Sequence, residues 1–571
     1  MENSGRKRRK TEGIKNMNVE SYHLNFVTEE YDKDGKLKKF GLKYPENFNF
    51  GYDIIDKYAE LEPNRRALMW VDLKGNEKML TFGELSRLSN KAANMFLAQG
   101  IKKGDHVILV MKRHYQFWYT MIALIKIGAI AIPATYLLTV KDFVYRMDAA
   151  NVKGVVATHD GEVTEYIDEA CQKTQGELKC KFIVNGEREG WKSFDEEIEK
   201  YPDTLERMPT KAREIFLMYF TSGTTGYPKM AIHDHTLALA HIQTAKHWQK
   251  VCPDGVHLSV SDSGWAKCAW GKMYGQLAMG TCVFVYDFDK FIPENMLAIM
   301  EKYKITTFCA PPTMYRFFIN AGLEKYDLSS LKYCNIAGEA LSAEVFNRWK
   351  EATGLELMEG YGQTESTCLI GNIIGMTPKP GSMGKPTPLY EVDLFDKEGN
   401  PVPDGEVGEI VVKGDYCDTA GLFRGYYNNE EATEKVWHDG YYHTGDTAKR
   451  DSDGYYWYVG RNDDVIKSSG YRIGPFEVES VLVTHPAVLE CAVTGVPHPI
   501  RGEVVKATIV LSEGYEPTEE LKQEIQTHVK KNTAPYKYPR VVEFVKELPK
   551  TVSGKIRRVE IRENDRNKED K

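Results

Sequence analysis

"TFGELSRLSNKAANMFLAQGIKKGDHVILVM", Thr81 to Met111, decides the fold class. Thr81 offers a hydroxyl as helix N-cap, and Glu84, three residues on, completes a capping box. Leu85, Leu88, Ala92, Met95 and Phe96 recur at helical spacing. Gly100 stops the helix, and "HVILVM" reads as a buried strand. "NMLAIMEKYKITTFCAPP", Asn295 to Pro312, repeats the scheme. Such alternation predicts an α/β chain with doubly wound, largely parallel sheets and helices on both faces.

Past Gly381 the texture changes. "YEVDLFDKEGNPVPDGEVGEIVVKG" is short strands broken by turn residues, which predicts an antiparallel β subdomain. After the turn-rich "GRNDD" a compact α+β pattern follows. The expected division is a polar arm over 1–30, a large domain over 31–461 and a small domain over 462–571. "FWYTMIALIKIGAIAIPATYLL", Phe117 to Leu138, is apolar enough to suggest a membrane span. Lys126 near its centre and Pro133 within it argue instead for a buried helix ending near Gly128, then a buried strand.

The 571 residues carry a net charge of −7, which argues against a general nucleic-acid binder. From Leu521 onward the balance is +6, against −13 for the rest. The ten cysteines have no zinc-ligand spacing and read as free thiols in a reducing compartment. The N-terminus has a basic cluster but no apolar signal region. It also lacks the amphipathic pattern of a transit peptide, so the expected location is the cytoplasm, with the mitochondrial matrix second.

Five motifs carry the chemistry. "TSGTTGYPK" supplies Thr221, Ser222, Gly223, Thr224, Thr225, Gly226, Tyr227, Pro228 and Lys229. Its glycines let backbone approach a ligand, and its hydroxyls and lysine suit phosphate oxygens. It lacks the Gly-Lys-Ser/Thr ending of the common phosphate loop. "EGYGQTE" sets a hydroxyl, Thr364, beside a carboxylate, Glu365, which suits a hard cation. "HTGD" ends in Asp446, able to accept from ribose hydroxyls. "GRNDDVIKSSGYRIGPFEVE" and "LPKTVSGKIRR" complete the set.

In this order the five motifs resemble the acyl-adenylate-forming (AMP-binding) superfamily, over about Pro45 to Arg562. "GYRIGPFEVE", "PIRGEVVKA" and "TAPYKYPR" look most like the medium-chain acyl-CoA synthetases. The resemblance implies that Thr221 to Lys229 close over the ATP β- and γ-phosphates. It implies that Gly338, Glu339 and Ala340 of "AGEAL" border adenine, and that Glu359, Gly360, Tyr361, Gly362, Gln363 and Thr364 continue the wall. Asp446 and Arg461 would bind ribose and Arg472 phosphate, Glu365 with Thr224 would hold Mg²⁺, and Lys555 would bridge carboxylate and ATP. CoA would meet Ser469, Gly470, Tyr471, Arg501, Lys530, Tyr538, Pro539 and Arg540, and the small domain would rotate about Asp463 between two half-reactions.

For the acid, the resemblance places Trp265, Lys267, Trp270, Cys309 and Gly362 on the acyl wall. Acetate-using relatives have tryptophan where this chain has Gly362, so acids longer than acetate are expected. Lys267 either snorkels to solvent or shortens the tunnel, favouring short branched to medium acids. His233 and His235 are expected to be structural. Competing readings are adenylation for a carrier protein, activation of an aryl acid, a luciferase-type oxidation, or a non-catalytic nucleotide or CoA sensor. The expected partners are a small carboxylic acid, ATP and CoA, with no nucleic acid or membrane span, in a monomer or dimer.

Overall fold

The computed structural model describes residues 18–221, 228–339, 341–468, 471–550 and 556–569, with backbone alone for residue 472 and residues 567–569. The Thr81 unit forms as its sequence dictates. A helix spans Phe82–Ala98 with both capping-box bonds made, and the fully buried strand His106–Val110 follows. The second unit gives helix Pro293–Lys302 and strand Thr307–Ala310.

Strands of this kind build two sheets. The seven-stranded sheet runs in the order 229–234, 215–221, 130–133, 106–110, 152–158, 180–184, 192–193, and only its 229–234 edge is antiparallel. In the nine-stranded sheet a parallel core of strands 357–361, 333–336, 307–310, 256–259, 282–287 and 66–72 carries antiparallel edges. An antiparallel sheet of five strands then covers 392–395, 407–413, 437–438, 441–450 and 456–461. The final sheet uses strands 466–468, 471–473, 488–498, 502–511 and 541–544, so residues 462–465 alone lead from one sheet to the other.

The apolar stretch is a helix, Gln116–Ile127, ended by Gly128 at φ +69° and followed by strand Ile130–Pro133. Lys126 is fully buried, with Nζ 2.6 Å from Asp56 Oδ1 and 2.7 Å from Asn90 Oδ1. Among the described residues no helix is long and apolar enough to cross a membrane. The polar arm expected over 1–30 needs correction from Val19 onward. Val19, Tyr22, Phe26 and Val27 are buried, and Glu29 is held by Lys246 Nζ at 2.7 Å and His247 Nε2 at 2.8 Å. Apolar side chains at that spacing join the main core, so this segment is not a free arm; residues 1–17 lie outside the described part.

A charge cluster bolts the two large sheets together at the carboxyl ends of their strands. His114 Nδ1 lies 2.8 Å from Asp287 of the nine-stranded sheet, and Nε2 2.8 Å from Thr158 of the seven-stranded one. Beside it Lys112 Nζ reaches Asp160 and Asp289, each at 2.6 Å. Burial alone would lower the His114 pKa, but hydrogen bonds and charge from Asp160 and Asp287 raise it to about 9. The unfolded value is about 6.5. The seam's contribution is therefore complete below that pH and lost as the pH rises through about 9. The melting temperature of the parent protein is expected to fall more steeply between pH 7 and 10 than that of His114→Gln, which starts lower. Parallel melting curves would remove His114 from the stability of the seam.

Candidate active site

The threonine-rich stretch connects two paired strands, Ile215–Thr221 and Lys229–Asp234, with Thr221 opposite Lys229. Ser222, Gly223, Thr224, Thr225, Gly226 and Tyr227 lie outside the described residues, as do Ala340, Ser469, Gly470 and Lys555. Helix Val140–Ala149 braces both stems: the Tyr145 hydroxyl donates to the Pro228 carbonyl at 2.9 Å, and Arg146 lies over the Phe220 ring. Lys229 Nζ sits 4.9 Å from the centre of the Tyr426 ring. The Tyr426 hydroxyl donates to Glu365 Oε1 at 3.0 Å. Loop stem, metal-ligand candidate and lysine thus meet through one tyrosine that no local motif singles out. Burial pushes the Glu365 carboxyl pKa up.

Asp446 is the centre of the arrangement. It is buried; Oδ2 accepts from Tyr361 Oη at 2.7 Å and Gln363 Nε2 at 2.5 Å, and Oδ1 from Tyr458 Oη at 3.1 Å. The Arg461 guanidinium is 3.9 Å from Oδ1. Its pKa is raised; burial acts to lower it, but the Asp446 and Asp463 charges more than offset this. Strand pairing explains the meeting, since Asp446 lies directly opposite Arg461. Gln363, read from sequence as nucleotide wall, turns out to be a connector. Its amide also donates to the Thr444 carbonyl at 2.9 Å and accepts from Tyr442 at 2.6 Å, while its own carbonyl accepts from Trp270 Nε1 at 3.3 Å. Thr364 follows it on the same turn.

Of the other wall residues, Gly338 has φ +104°, and Glu339 is exposed and accepts from Thr313 at 2.9 Å. Glu359 is buried, and burial pushes its pKa up to about 8. A Cβ at Gly360 would lie 2.5 Å from the Trp248 ring, so that indole needs glycine there. The volume argument at Gly362 needs correction. A Cβ there would lie 2.2 Å from the Thr367 carbonyl oxygen, so the loop's own backbone fills the space and glycine serves the turn.

The expected acyl-wall residues divide. Trp270 is half-buried, edge-on to Tyr219 (5.5 Å) and His233 (5.3 Å) and against His241 (4.9 Å). Burial lowers the pKa of both histidines to about 3, so both are neutral. Trp265 is half-buried, and Cys309 is a core residue at 1% exposure. Lys267 does not snorkel to solvent: its Nζ donates to the Ala337 carbonyl at 2.7 Å, tying its helix to the "AGEAL" segment. His235 stacks on Phe216 at 4.9 Å, a packing role. Among the described residues no group of three or more His, Cys, Asp or Glu could hold a metal.

The expected CoA residues gather on the small domain. Tyr471 is half exposed and stacks on Tyr536 at 4.1 Å. Lys530 and Arg540 both lie over the Tyr538 ring, at 5.5 and 4.8 Å, with Pro539 between Tyr538 and Arg540. Arg501 sits in the turn beside Ile500, which is 88% exposed. The backbone of Arg472 runs in strand Tyr471–Ile473. Asp463 is exposed, 3.6 Å from Arg461, while Asp464 is held by Arg562 at 2.5 Å.

The AMP-binding enzyme family model matches residues 55–427, and the AMP-binding enzyme C-terminal domain matches residues 477–555. The chain is 42% identical over 536 residues to acyl-coenzyme A synthetase ACSM3, mitochondrial, of Homo sapiens, covering 92% of this chain and 91% of that protein. It is 42% identical over 531 residues to acyl-coenzyme A synthetase ACSM4, mitochondrial, of Rattus norvegicus, covering 91% of each. The solved anthranilate CoA ligase AuaEII, in complex with anthranoyl-AMP, superposes with a TM-score of 0.85 at 30% identity, over 92% of this chain and 99% of that one. The cytoplasmic expectation is overturned by these relatives, which are mitochondrial proteins. Two large parallel sheets, an Asp446-centred site between loop and strand, and nine-tenths of the length in common with such ligases lead to one conclusion: the chain belongs to the AMP-binding enzyme family, among the acyl-coenzyme A synthetases.

Proposed function

We propose that this synthetase activates short branched to medium-chain carboxylic acids through two half-reactions. In the first, a carboxylate oxygen attacks the α-phosphorus of ATP, giving acyl-adenylate and pyrophosphate. In the second, the CoA thiol attacks the acyl carbon and AMP leaves. The observation that carries the adenylation step is the Asp446 clamp, a buried carboxylate set between three donors and Arg461 where the family motif expects ribose. Phosphoryl-type transfer is mostly positioning and charge stabilisation. Lys229 and the stem of its loop would steady the pyrophosphate end. Lys555, assigned by its motif, would offset repulsion between the carboxylate and ATP.

Glu365 would hold Mg²⁺. Its buried carboxyl, with a pKa raised by burial and one oxygen held by Tyr426, is a hard donor that a divalent cation would stabilise. Bound there, the ion would withdraw charge from phosphate oxygens. Tyr471, Tyr538 and Arg540 would meet CoA, and the division near residues 462–465, with Asp463 as hinge, would let one small domain serve both steps in turn.

A second reading for the acid is an aromatic one. Trp270 is an aromatic surface backed edge-on by Tyr219 and His233 and by the tilted ring of His241, and the anthranilate ligase is a structural relative. Pyrophosphate release should depend on added acid, across a panel from acetate to dodecanoate with branched acids, benzoate and anthranilate. The proposal expects the maximum at branched or medium acids. A maximum at the aryl acids favours the second reading, and release without acyl-CoA formation favours a carrier-protein acceptor.

Two variants probe the roles. Lys555→Ala should cut adenylation by about a hundredfold or more while sparing thioester formation from supplied acyl-adenylate; equal losses would contradict the two-arrangement scheme. Gln363→Ala removes one donor from Asp446 and leaves Tyr442 unpaired, a cost of about 1–3 kcal/mol. The KM for ATP is expected to rise about tenfold or more, with a smaller effect on KM for the acid. A change confined to thermal stability would reduce Gln363 to a structural role.

A further inference from the structure

His443 opens the "HTGD" motif, yet no ligand role uses it. On strand Tyr441–Arg450 its ring stacks on His438, with centres 3.8 Å apart and planes 13° from parallel. His438 Nδ1 is in turn 2.8 Å from Asp439. The stack leaves His443 Nδ1 facing Glu409 Oε2 at 3.3 Å. The other oxygen of Glu409, Oε1, accepts from the Gly445 N–H at 2.9 Å. Glu409 is mostly buried, with 21% of its side chain exposed. Burial would raise its pKa, but the His443 contact and the Gly445 N–H together hold it below the usual carboxylate range. It thus carries a charge where it grips the backbone.

The gripped residue matters. Gly445 has φ +72°, and a Cβ there would lie 3.1 Å from the Arg461 guanidinium, which covers this peptide. Its carbonyl accepts from Asn462 N at 2.9 Å. The strand pairing of 407–413 with 441–450 shifts register between Glu409 and Val411, so the ladder on that side skips residues 444–446, while on the other side Asp446 pairs with Arg461. Glu409 holds the skipped stretch from the neighbouring strand, one residue before Asp446.

We infer that Glu409, oriented by His443, is a positioning residue for the ribose clamp: it fixes the Gly445 peptide so that Asp446 and Arg461 meet both ribose hydroxyls of ATP. The inference rests on the proposed ribose role of Asp446. A charge-assisted bond to a backbone donor is stronger than a neutral one, and a misplaced clamp should lose its reading of hydroxyls more than its hold on phosphates.

The test compares kcat/KM for ATP with those for 2′-deoxyATP and 3′-deoxyATP in pyrophosphate release, for the parent enzyme, Glu409→Ala, Glu409→Gln and Asp446→Ala. Glu409→Ala is expected to lower the preference for ATP over the deoxynucleotides at least fivefold, with KM for the acid within twofold. Glu409→Gln, which keeps an acceptor for the Gly445 N–H, should recover most of that preference. If Glu409→Ala folds poorly, His443→Ala takes its place: it is expected to lose part of the preference, and an unchanged preference there overturns the positioning role. Loss of discrimination in Asp446→Ala but not in Glu409→Ala overturns the positioning role alone. Unchanged discrimination in Asp446→Ala overturns the ribose reading and the inference with it.

Discussion

The site depends on holding one buried carboxylate, Asp446, in a fixed position. Three donors from two segments converge on it: Tyr361 and Gln363 from the glycine turn and Tyr458 from the next strand. An ionised group taken out of water is tolerated only when hydrogen bonds and opposite charge replace its hydration. Each donor therefore commits its own segment to one position. The turn after strand Leu357–Tyr361 is drawn to the antiparallel sheet, and Arg461 is held where the chain leaves for the small domain.

The same turn reaches the other way. The Gln363 carbonyl holds the Trp270 indole, and Trp270 covers His233 and His241. Trp270 and Asp446 thus share one residue, Gln363. Whatever displaces the indole is felt at the amide that grips Asp446, through two hydrogen bonds. Glycines make this approach possible: Gly360 admits Trp248, and Gly362 admits the Thr367 carbonyl.

Ion pairs with buried members away from the cleft serve the frame. Lys126 with Asp56, Glu29 with Lys246 and His247, and His114 between the two sheets each join elements distant in sequence. Removing one partner of such a pair leaves an uncompensated buried charge. These pairs therefore specify which elements meet, even though apolar packing supplies most of the driving force.

The sequence by itself determined the helix–strand alternation, the capping box at Thr81 and Glu84, the end of the apolar helix at Gly128, and the identity of the motif residues. Those features are local: a cap, a period or a glycine acts within a few residues of itself. Only the tertiary structure decided what the motif residues do to one another. Gln363 became a connector, Lys267 tied a helix to Ala337, Gly362 served its own loop, and Tyr426, Tyr458 and Glu409 entered the site with no signature. Apart from the local turn at Gly362, these outcomes depend on which segments the fold brings side by side. A hydrogen bond extends about 3 Å, whereas its two partners here stand from 12 to 93 residues apart along the chain.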